Sequence, residues 1–507
     1  MKNPTPATPV VILFLMTFLS GLFRYVLIGV FDAVWWDEAV YMGLAKNLHD
    51  RFVFSFPFGL ERFRPILLPL LLSPAYQFGN PELIARAIVL GFSTVSIPAV
   101  YYLGRTLYGW RTGLLASLFL STNSLFLLNG QRLLSESLFI TFSSLAIALF
   151  YKAVRGDQRL LLAAAFLTGL AALTKNFGLL LPFLYLAFLI FSRSLKRLRA
   201  SIVSLSILIF LATLLPLFYF DWVNYGNLTG VFLDQIRNVP AAVSYWYFYI
   251  QKFPDTFGWN SIFILSGLLL ALRKRAPKDI LALCLTLVPL LLLNTALYYH
   301  MEERYLIPFM PAFFVVGASV VERVRKVDKK VFAAILLVAV VFSSVSLNDG
   351  YKAIINDSRT NSVLKEASLY LRDVTHGNDV VASPSYPLVY YYSQRPTIKL
   401  PQERNLLYSE LNNNHVTYVL VNYQEQEDPA YLAKELQSGS FIKIRGFPEN
   451  SSVEVIGIFR YVGESHGNSS GSNTLRTAST NRIGPDFSQN SIVLVILRTT
   501  WLPRVDA

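Results

Sequence analysis

The sequence predicts a polytopic α-helical membrane protein of about eleven transmembrane helices followed by a C-terminal extracytoplasmic α/β domain. Three observations carry that expectation. Of 507 residues, 53% are hydrophobic and 15% charged, with a mean hydropathy of +0.44, well outside the balance of a soluble globular chain. Apolar runs able to cross a hydrocarbon core of roughly 30 Å recur from Val10 to about Leu347. Beyond Leu347 the texture turns to mixed polar sequence. The expected division is therefore a membrane domain over 1–347, an α/β domain over 348–463, and a low-complexity, disordered tail over 464–507.

With the N-terminus cytoplasmic, helices are expected near 10–31, 83–104, 113–129, 135–152, 159–174, 178–192, 201–220, 260–272, 279–298, 305–322 and 331–347. The first run is too long for the apolar part of a secretory signal and no small-residue cleavage site follows it. Loop charges set the parity. Arg105 and Arg111, then Lys152, Arg155 and Arg159, then Arg193, Lys196, Arg197 and Arg199 fall in alternate loops. Arg273 to Lys278 and Arg323 to Lys330 continue the series, so every cluster lands inside. The segment Pro65 to Phe78 is short and holds Pro65, Pro69 and Pro74; as a crossing it would invert all later clusters, so it is expected to be re-entrant or interfacial. The net charge of +13 is thus a topology signal and gives no support to nucleic-acid binding. The single cysteine, Cys284, sits inside a predicted span, which excludes an intrachain disulfide framework.

For the outer domain, helices are expected at Val363 to Arg372, Gln402 to Leu411 and Tyr431 to Leu436. Strands are expected at Val380 to Ser383, Tyr418 to Asn422, Phe441 to Ile444 and Val453 to Phe459. Segment 464–490 is rich in Ser, Asn, Thr and Gly, and the apolar run Ser491 to Pro503 is too short to span.

Once this parity is drawn, the remaining ionisable residues gather at the outer membrane boundary. Asp37 and Glu38 follow the first helix, and Arg64 closes the same loop. Arg132 and Glu136 lie in the next outer turn, Lys175 in a third, and His300, Glu302, Glu303 and Arg304 in a fourth. Taken singly, each reads as a solvated loop charge, with Trp35 and Trp36 as an interfacial belt. Carboxylates and cations arriving from four turns point instead to one shared polar cavity. Such a cavity suits a lipid with a phosphate headgroup and an acceptor bearing a hydroxyl: a carboxylate takes the acceptor proton, and Arg or Lys holds the phosphate. Phosphate already leaves well, so no dedicated acid is needed, unlike hydrolysis between two opposed carboxyl groups. No P-loop, dinucleotide-binding glycine signature or Ser-His-Asp arrangement is evident.

Asp37-Glu38 after the first helix, Arg64-Pro65, Arg132 four residues before Glu136, the run Gly169 to Lys175, and Arg304-Tyr305-Leu306-Ile307-Pro308 followed by Pro311 resemble the glycosyltransferase-C membrane enzymes. Among them the pattern is similar to the branch of protein O-mannosyltransferases and lipid A aminoarabinose transferases, over most of the first 325 residues. The resemblance implies inverting transfer of a sugar from a dolichyl- or undecaprenyl-phosphate carrier to a protein, lipid or glycan acceptor on the outer face. It implies Asp37 as base with Glu38 beside it, Glu136 as second acid, and Arg64, Arg132, Lys175 and Arg304 as contacts to the donor phosphate. His300 with Glu302 or Glu303 forms a candidate acceptor or divalent-metal loop, with no cofactor assigned. Two other readings stay open: metal-dependent transfer of a whole lipid-linked oligosaccharide, and a transporter or lipid flippase. A transporter would place its ionisable residues near the midplane and show internal repeats.

Overall fold

The computed structural model describes residues 7–56, 59–60, 64–228, 247–295, 301–325, 328–423, 431–448 and 454–463. The tail from 464 onward and His300 lie outside them. Each of the eleven predicted stretches is helical over most of its described residues, the first ending at Val26. By length and composition seven described helices could cross a membrane, or eight if the pair over 200–225, bent by 47°, counts as one.

Helix α1 (Ala7–Val26) turns Phe14, Leu15, Phe18, Leu19 and Leu22 outward, as a lipid-facing span does. The segment after it departs from the sequence reading. Where a loop was expected there is a helix, α2 (Trp36–Arg51), then a ribbon of β1 (Ser55–Phe56) and β2 (Gly59–Leu60), and a short α3 (Leu67–Leu72). The reason α2 is cryptic is burial on several sides: Asp37, Glu38, Val40, Met42, Leu44 and Leu48 are all covered, so no apolar stripe marks one face. Its start is nonetheless written locally. Glu38 is the third helical residue and its Oε2 accepts the backbone N–H of Trp35 at 2.6 Å, half of a capping box. The proline-containing piece 65–78 is too short to span and packs against α2.

The central helices are α4 (Pro81–Tyr108), α5 (Trp110–Thr122), α6 (Ser124–Asn129), α7 (Glu136–Arg155), α8 (Leu160–Thr174) and α9 (Leu181–Phe191). The predicted stretch 113–129 is broken at Asn123, whose side-chain oxygen caps α6 through the N–H of Phe126. The bend between α10 (Ala200–Thr213) and α11 (Leu215–Tyr225) has Pro216 at its start, where the missing N–H cannot continue the earlier helix. Short helices α12 (Phe248–Gln251) and α13 (Phe253–Phe257) lead to α14 (Ser261–Lys274), α15 (Pro277–Thr295), α16 (Met310–Arg325) and α17 (Lys329–Asp357).

Helix α17 runs ten residues beyond the expected boundary at Leu347. Asn348-Asp349-Gly350 reads as a helix stop, yet Gly350 lies against α6, where a Cβ would come within 2.8 Å of Leu127. Close packing, rather than a turn, explains that glycine. The helix delivers the chain to α18 (Ser362–Val374), β3 (Val380–Ser383), α19 (Tyr386–Ser393), β4 (Thr397–Lys399), α20 (Leu407–Asn413), β5 (Val416–Asn422), α21 (Leu432–Glu435), β6 (Phe441–Phe447) and β7 (Ile456–Tyr461). The five strands order β4-β3-β5-β7-β6; β3 pairs parallel with β4 and β5, while β7 is antiparallel to β5 and β6. Helix α19 and strand β4 are absent from the sequence reading: Tyr386, Tyr390, Tyr391 and Tyr392 around Pro387 show neither period, and β4 is only three residues long.

This body is not a separate bead. Val34, Met42, Leu72 and Val89 share one apolar core with Leu364, Leu371, Leu388, Val389 and Ile458. Burial at roughly 25 cal/mol per Å² makes such a shared core a strong tie between the helical and α/β parts.

Candidate functional site

The basic clusters meet at one end of the bundle and the predicted site residues at the other. At the basic end Arg111 approaches Glu322 at 3.6 Å, Arg323 pairs with Asp279, and Gln158 hydrogen-bonds the Arg197 carbonyl at 2.7 Å. At the opposite end lie the first turns of α2 and α7, the turn after α8 and the approach to α16.

Asp37 is in the first turn of α2, where unpaired N–H groups favour an anion. Both of its oxygens are taken by arginines from distant segments, Oδ1 by Arg64 and Oδ2 by Arg304. Burial alone would raise the Asp37 pKa; the two guanidiniums outweigh it and hold the carboxyl well below the usual carboxylate range. Arg304 also reaches Glu302 at 2.5 Å. Its neighbour in sequence, Tyr305, has the Arg304 guanidinium 5.6 Å and the Lys175 ammonium 5.7 Å from its ring centre. Lys175 in turn donates to Oε1 of Glu136 at 2.6 Å. Tyr305 thus joins the Asp37 pair of arginines to the Glu136–Lys175 pair.

Local backbone explains these placements. Glu136 is the first residue of α7, again at a positive helix end. Lys175 leaves α8 in extended conformation, and Gly178 lets the following 3₁₀ turn fold back: a Cβ there would sit 2.3 Å from the Ala172 nitrogen. Arg64 precedes Pro65, which disfavours helix and keeps the arginine extended toward α2.

Glu38 does not share this setting. Successive helical residues point about 100° apart, and Glu38 faces the turn before α7. Its Oε1 accepts from Arg86 at 3.1 Å and from the Leu133 N–H at 2.6 Å, while Oε2 caps Trp35. With both oxygens occupied and 1% exposure, it fastens α2 to α4 and the 131–133 turn. Arg132 stands between the two groups. It pairs with Asp357 at the end of α17, and its guanidinium lies 4.4 Å from the centre of the Trp35 ring, to which Arg304 also approaches at 5.0 Å. Glu303 turns away to Lys252 at 3.0 Å. The divalent-ion expectation gains no ligand set here: His300 is outside the described residues, Glu302 and Glu303 are engaged by cations, and among the described residues no three His, Cys, Asp or Glu side chains converge.

The structure therefore brings together Asp37, Arg64, Arg304, Glu302, Lys175 and Glu136, with Arg132 alongside through Trp35. Sequence reasoning missed Arg86, Asp357 and Tyr41, and it quoted Tyr305 in a motif without giving it a role. Tyr41 lies one turn after Asp37, its phenol pushed up by burial and by the charges of Asp37 and Glu136. Arg86, alone among apolar residues near the start of a span, was detectable as an intramembrane charge; Asp357 lies in polar sequence and carries no such mark.

Chemically the cluster offers a carboxylate at one end of the helical bundle that is charged at rest, held by cations able to exchange it for another anion. A second carboxylate stands beside a lysine. This set can bind a phosphate and accept a proton.

Residues 64–220 match the family model described as dolichyl-phosphate-mannose-protein mannosyltransferase. The structure is similar to that of ArnT from Cupriavidus metallidurans bound to undecaprenyl phosphate, with a TM-score of 0.67 and 13% identity over 92% of this chain and 100% of that one. It is similar to the Archaeoglobus fulgidus oligosaccharyltransferase in complex with Zn and sulfate, with a TM-score of 0.64 and 14% identity over 85% of this chain and 72% of that one. The arabinofuranosyltransferase AftD from Mycobacteria also matches, at a TM-score of 0.53 and 13% identity, over 89% of this chain and 40% of that one. No curated protein matches by sequence.

Proposed function

We propose, from the premise that this multi-pass membrane protein has the glycosyltransferase-C fold, that it transfers a sugar from a polyprenyl phosphate to an acceptor on the extracytoplasmic face. The observation that carries the reading is Asp37 held between Arg64 and Arg304 at the end of the bundle away from the basic loops. With the basic end cytoplasmic, that end faces outward. The mannosyltransferase family match over 64–220 and the undecaprenyl phosphate held by the similar ArnT support the donor class.

The proposed sequence begins with the donor phosphate competing for Arg64, Arg304 and Lys175. As the guanidiniums turn to the phosphate, the carboxylate of Asp37 loses the charges that depress its basicity and becomes able to accept a proton. An acceptor hydroxyl gives that proton to Asp37 while its oxygen bonds to the anomeric carbon. The bond from that carbon to the phosphate oxygen breaks, and the electron pair leaves with the polyprenyl phosphate, its charge held by the same cations. Attack opposite the leaving group inverts the anomeric centre. Glu136, oriented by Lys175, faces the sugar, and Glu38 positions α2 without touching substrate.

The test supplies the purified protein in lipid nanodiscs with dolichyl- and undecaprenyl-phosphate sugars and a panel of peptide, lipid and glycan acceptors. Transfer that Asp37→Asn abolishes in a folded protein is the expected result. Transfer unchanged by that substitution removes Asp37 as base, and release of no sugar from any donor removes the reading itself.

A further inference from the structure

The turn that aims Asp37, residues 32–36, is held chiefly by the α/β body. Both backbone groups of Asp32 and both of Val34 meet a group from beyond residue 357, while the Trp35 N–H and carbonyl are held within α2 by Glu38 and Ala39. The Asp32 N–H donates to the Ser358 carbonyl at 3.0 Å, and the Asp32 carbonyl accepts from Lys365 Nζ at 2.7 Å. The Val34 N–H donates to the Tyr392 hydroxyl at 2.7 Å, and the Val34 carbonyl accepts from Asn361 Nδ2 at 3.3 Å. On the next residue but one, the Trp36 ring meets Tyr386 edge to face at 5.4 Å. Asp357 completes the frame by pairing with Arg132, which carries Trp35 on its guanidinium plane.

Two features of this frame have no evident purpose as packing alone. A carboxylate at the C-terminal end of α17 is opposed by the helix dipole. Its partner Arg132 offsets that opposition and at the same time fixes Trp35, the residue that Arg304 also touches. Tyr392 is buried beside the apolar core, and its hydroxyl spends its acceptor capacity on a backbone N–H three residues before Asp37. A buried N–H left without an acceptor is costly enough to move a short turn. An ångström of displacement at a reacting group costs about a hundredfold in rate.

We infer that the α/β body is a positioning element for the Asp37 turn, acting through Tyr392 on Val34 and through Asp357 and Arg132 on Trp35. Its bearing on rate rests on the reading of Asp37 given above; its bearing on the turn does not. Undocking of α19 and α18 from α2 would release the carboxylate from the arginines' geometry without altering any residue that meets substrate.

The full-length protein in nanodiscs tests this with two readouts. Tyr392→Phe keeps the ring and removes the acceptor. Hydrogen exchange of the Val34 to Glu38 amides is expected to rise about tenfold or more, with α7 and β3 unchanged. In transfer assays kcat is expected to fall about tenfold while the donor KM stays within about twofold. Asp357→Asn is expected to lower kcat in the same way, and Asp357→Glu to recover most of it. Should Tyr392→Phe fail to fold, Lys365→Met removes the donor to the Asp32 carbonyl from the solvent side and reports on the same turn. Exchange over 32–38 as slow as in the wild-type protein overturns the inference, and so does faster exchange with kcat unchanged. A wild-type protein that transfers no sugar sinks the functional reading, and exchange alone then decides the positioning.

Discussion

The two ends of the helical bundle each bury a carboxylate in the first turn of a helix against arginine, and they differ in what else holds it. At the basic end Asp279 of α15 takes the Tyr108 hydroxyl at 2.8 Å and Arg323 at 2.5 Å on one oxygen, and the Ala276 N–H at 3.3 Å on the other. Its partners are neutral as well as charged and close a finished hydrogen-bond set. At the other end Asp37 is held by two guanidiniums, and one of them is shared with Glu302 and Trp35. Partners with alternatives can be exchanged. A closed set ties helices together, whereas a carboxylate held by cations that have other partners can hand them to an incoming anion.

The sharpest way to break that contrast is a matched pair of substitutions. Asp37→Asn is expected to lower transfer by about a thousandfold, the size of a lost general base, with a smaller stability loss than at the basic end because the Asp37 side chain keeps 13% of its surface exposed where Asp279 keeps 1%. Asp279→Asn is expected to do the reverse, costing roughly 3 kcal/mol through the loss of a carboxylate only 1% exposed from its closed pair with Arg323, while leaving the rate per folded molecule nearly intact. Thermal unfolding and single-turnover transfer on the same preparations decide it. Equal stability losses at both ends would remove the distinction.

A smaller effect separates the two arginines at Asp37 from simple ballast. Arg64→Gln is expected to raise the donor KM about tenfold, the worth of one charge-assisted hydrogen bond to phosphate, and to change kcat less. A shift in kcat with KM fixed would mean that Arg64 acts on Asp37 alone.

How far the sequence disclosed this arrangement depends on the period of each element. The spans were legible because lipid demands long apolar runs, and the charge parity assigned opposite ends to Lys152 and Lys175. Strand Val380–Ser383 was legible as a short buried run. Helix α2 was not, because burial on several sides erases amphipathic periodicity, so Asp37 and Glu38 looked like one acidic pair in a loop. Only the helical geometry sends Asp37 to Arg64 and Arg304 and Glu38 to Arg86. The tie from Arg132 to Asp357 joins residues 225 positions apart and leaves no local trace. Four of the predicted cations do gather around the two carboxylates or beside them, yet which cation meets which acid is set by tertiary packing.

The smallest expected effect is in the response to acid. The Asp37 pKa in the folded protein lies below its unfolded value near 3.9. The stability it contributes is therefore fully present above about pH 4 to 5 and is lost only as the pH falls through the depressed folded value. Between pH 5 and 8 the melting temperature should show no contribution from this group, and Asp37→Asn should leave that part of the profile flat while removing a component of the acid limb. A wild-type profile that already loses stability between pH 7 and 5 in an Asp37-dependent manner would mean that the two arginines do not hold the carboxylate in solution. The resting state drawn here, a base kept charged and masked until phosphate displaces it, would then have to give way to one in which Asp37 is free from the start.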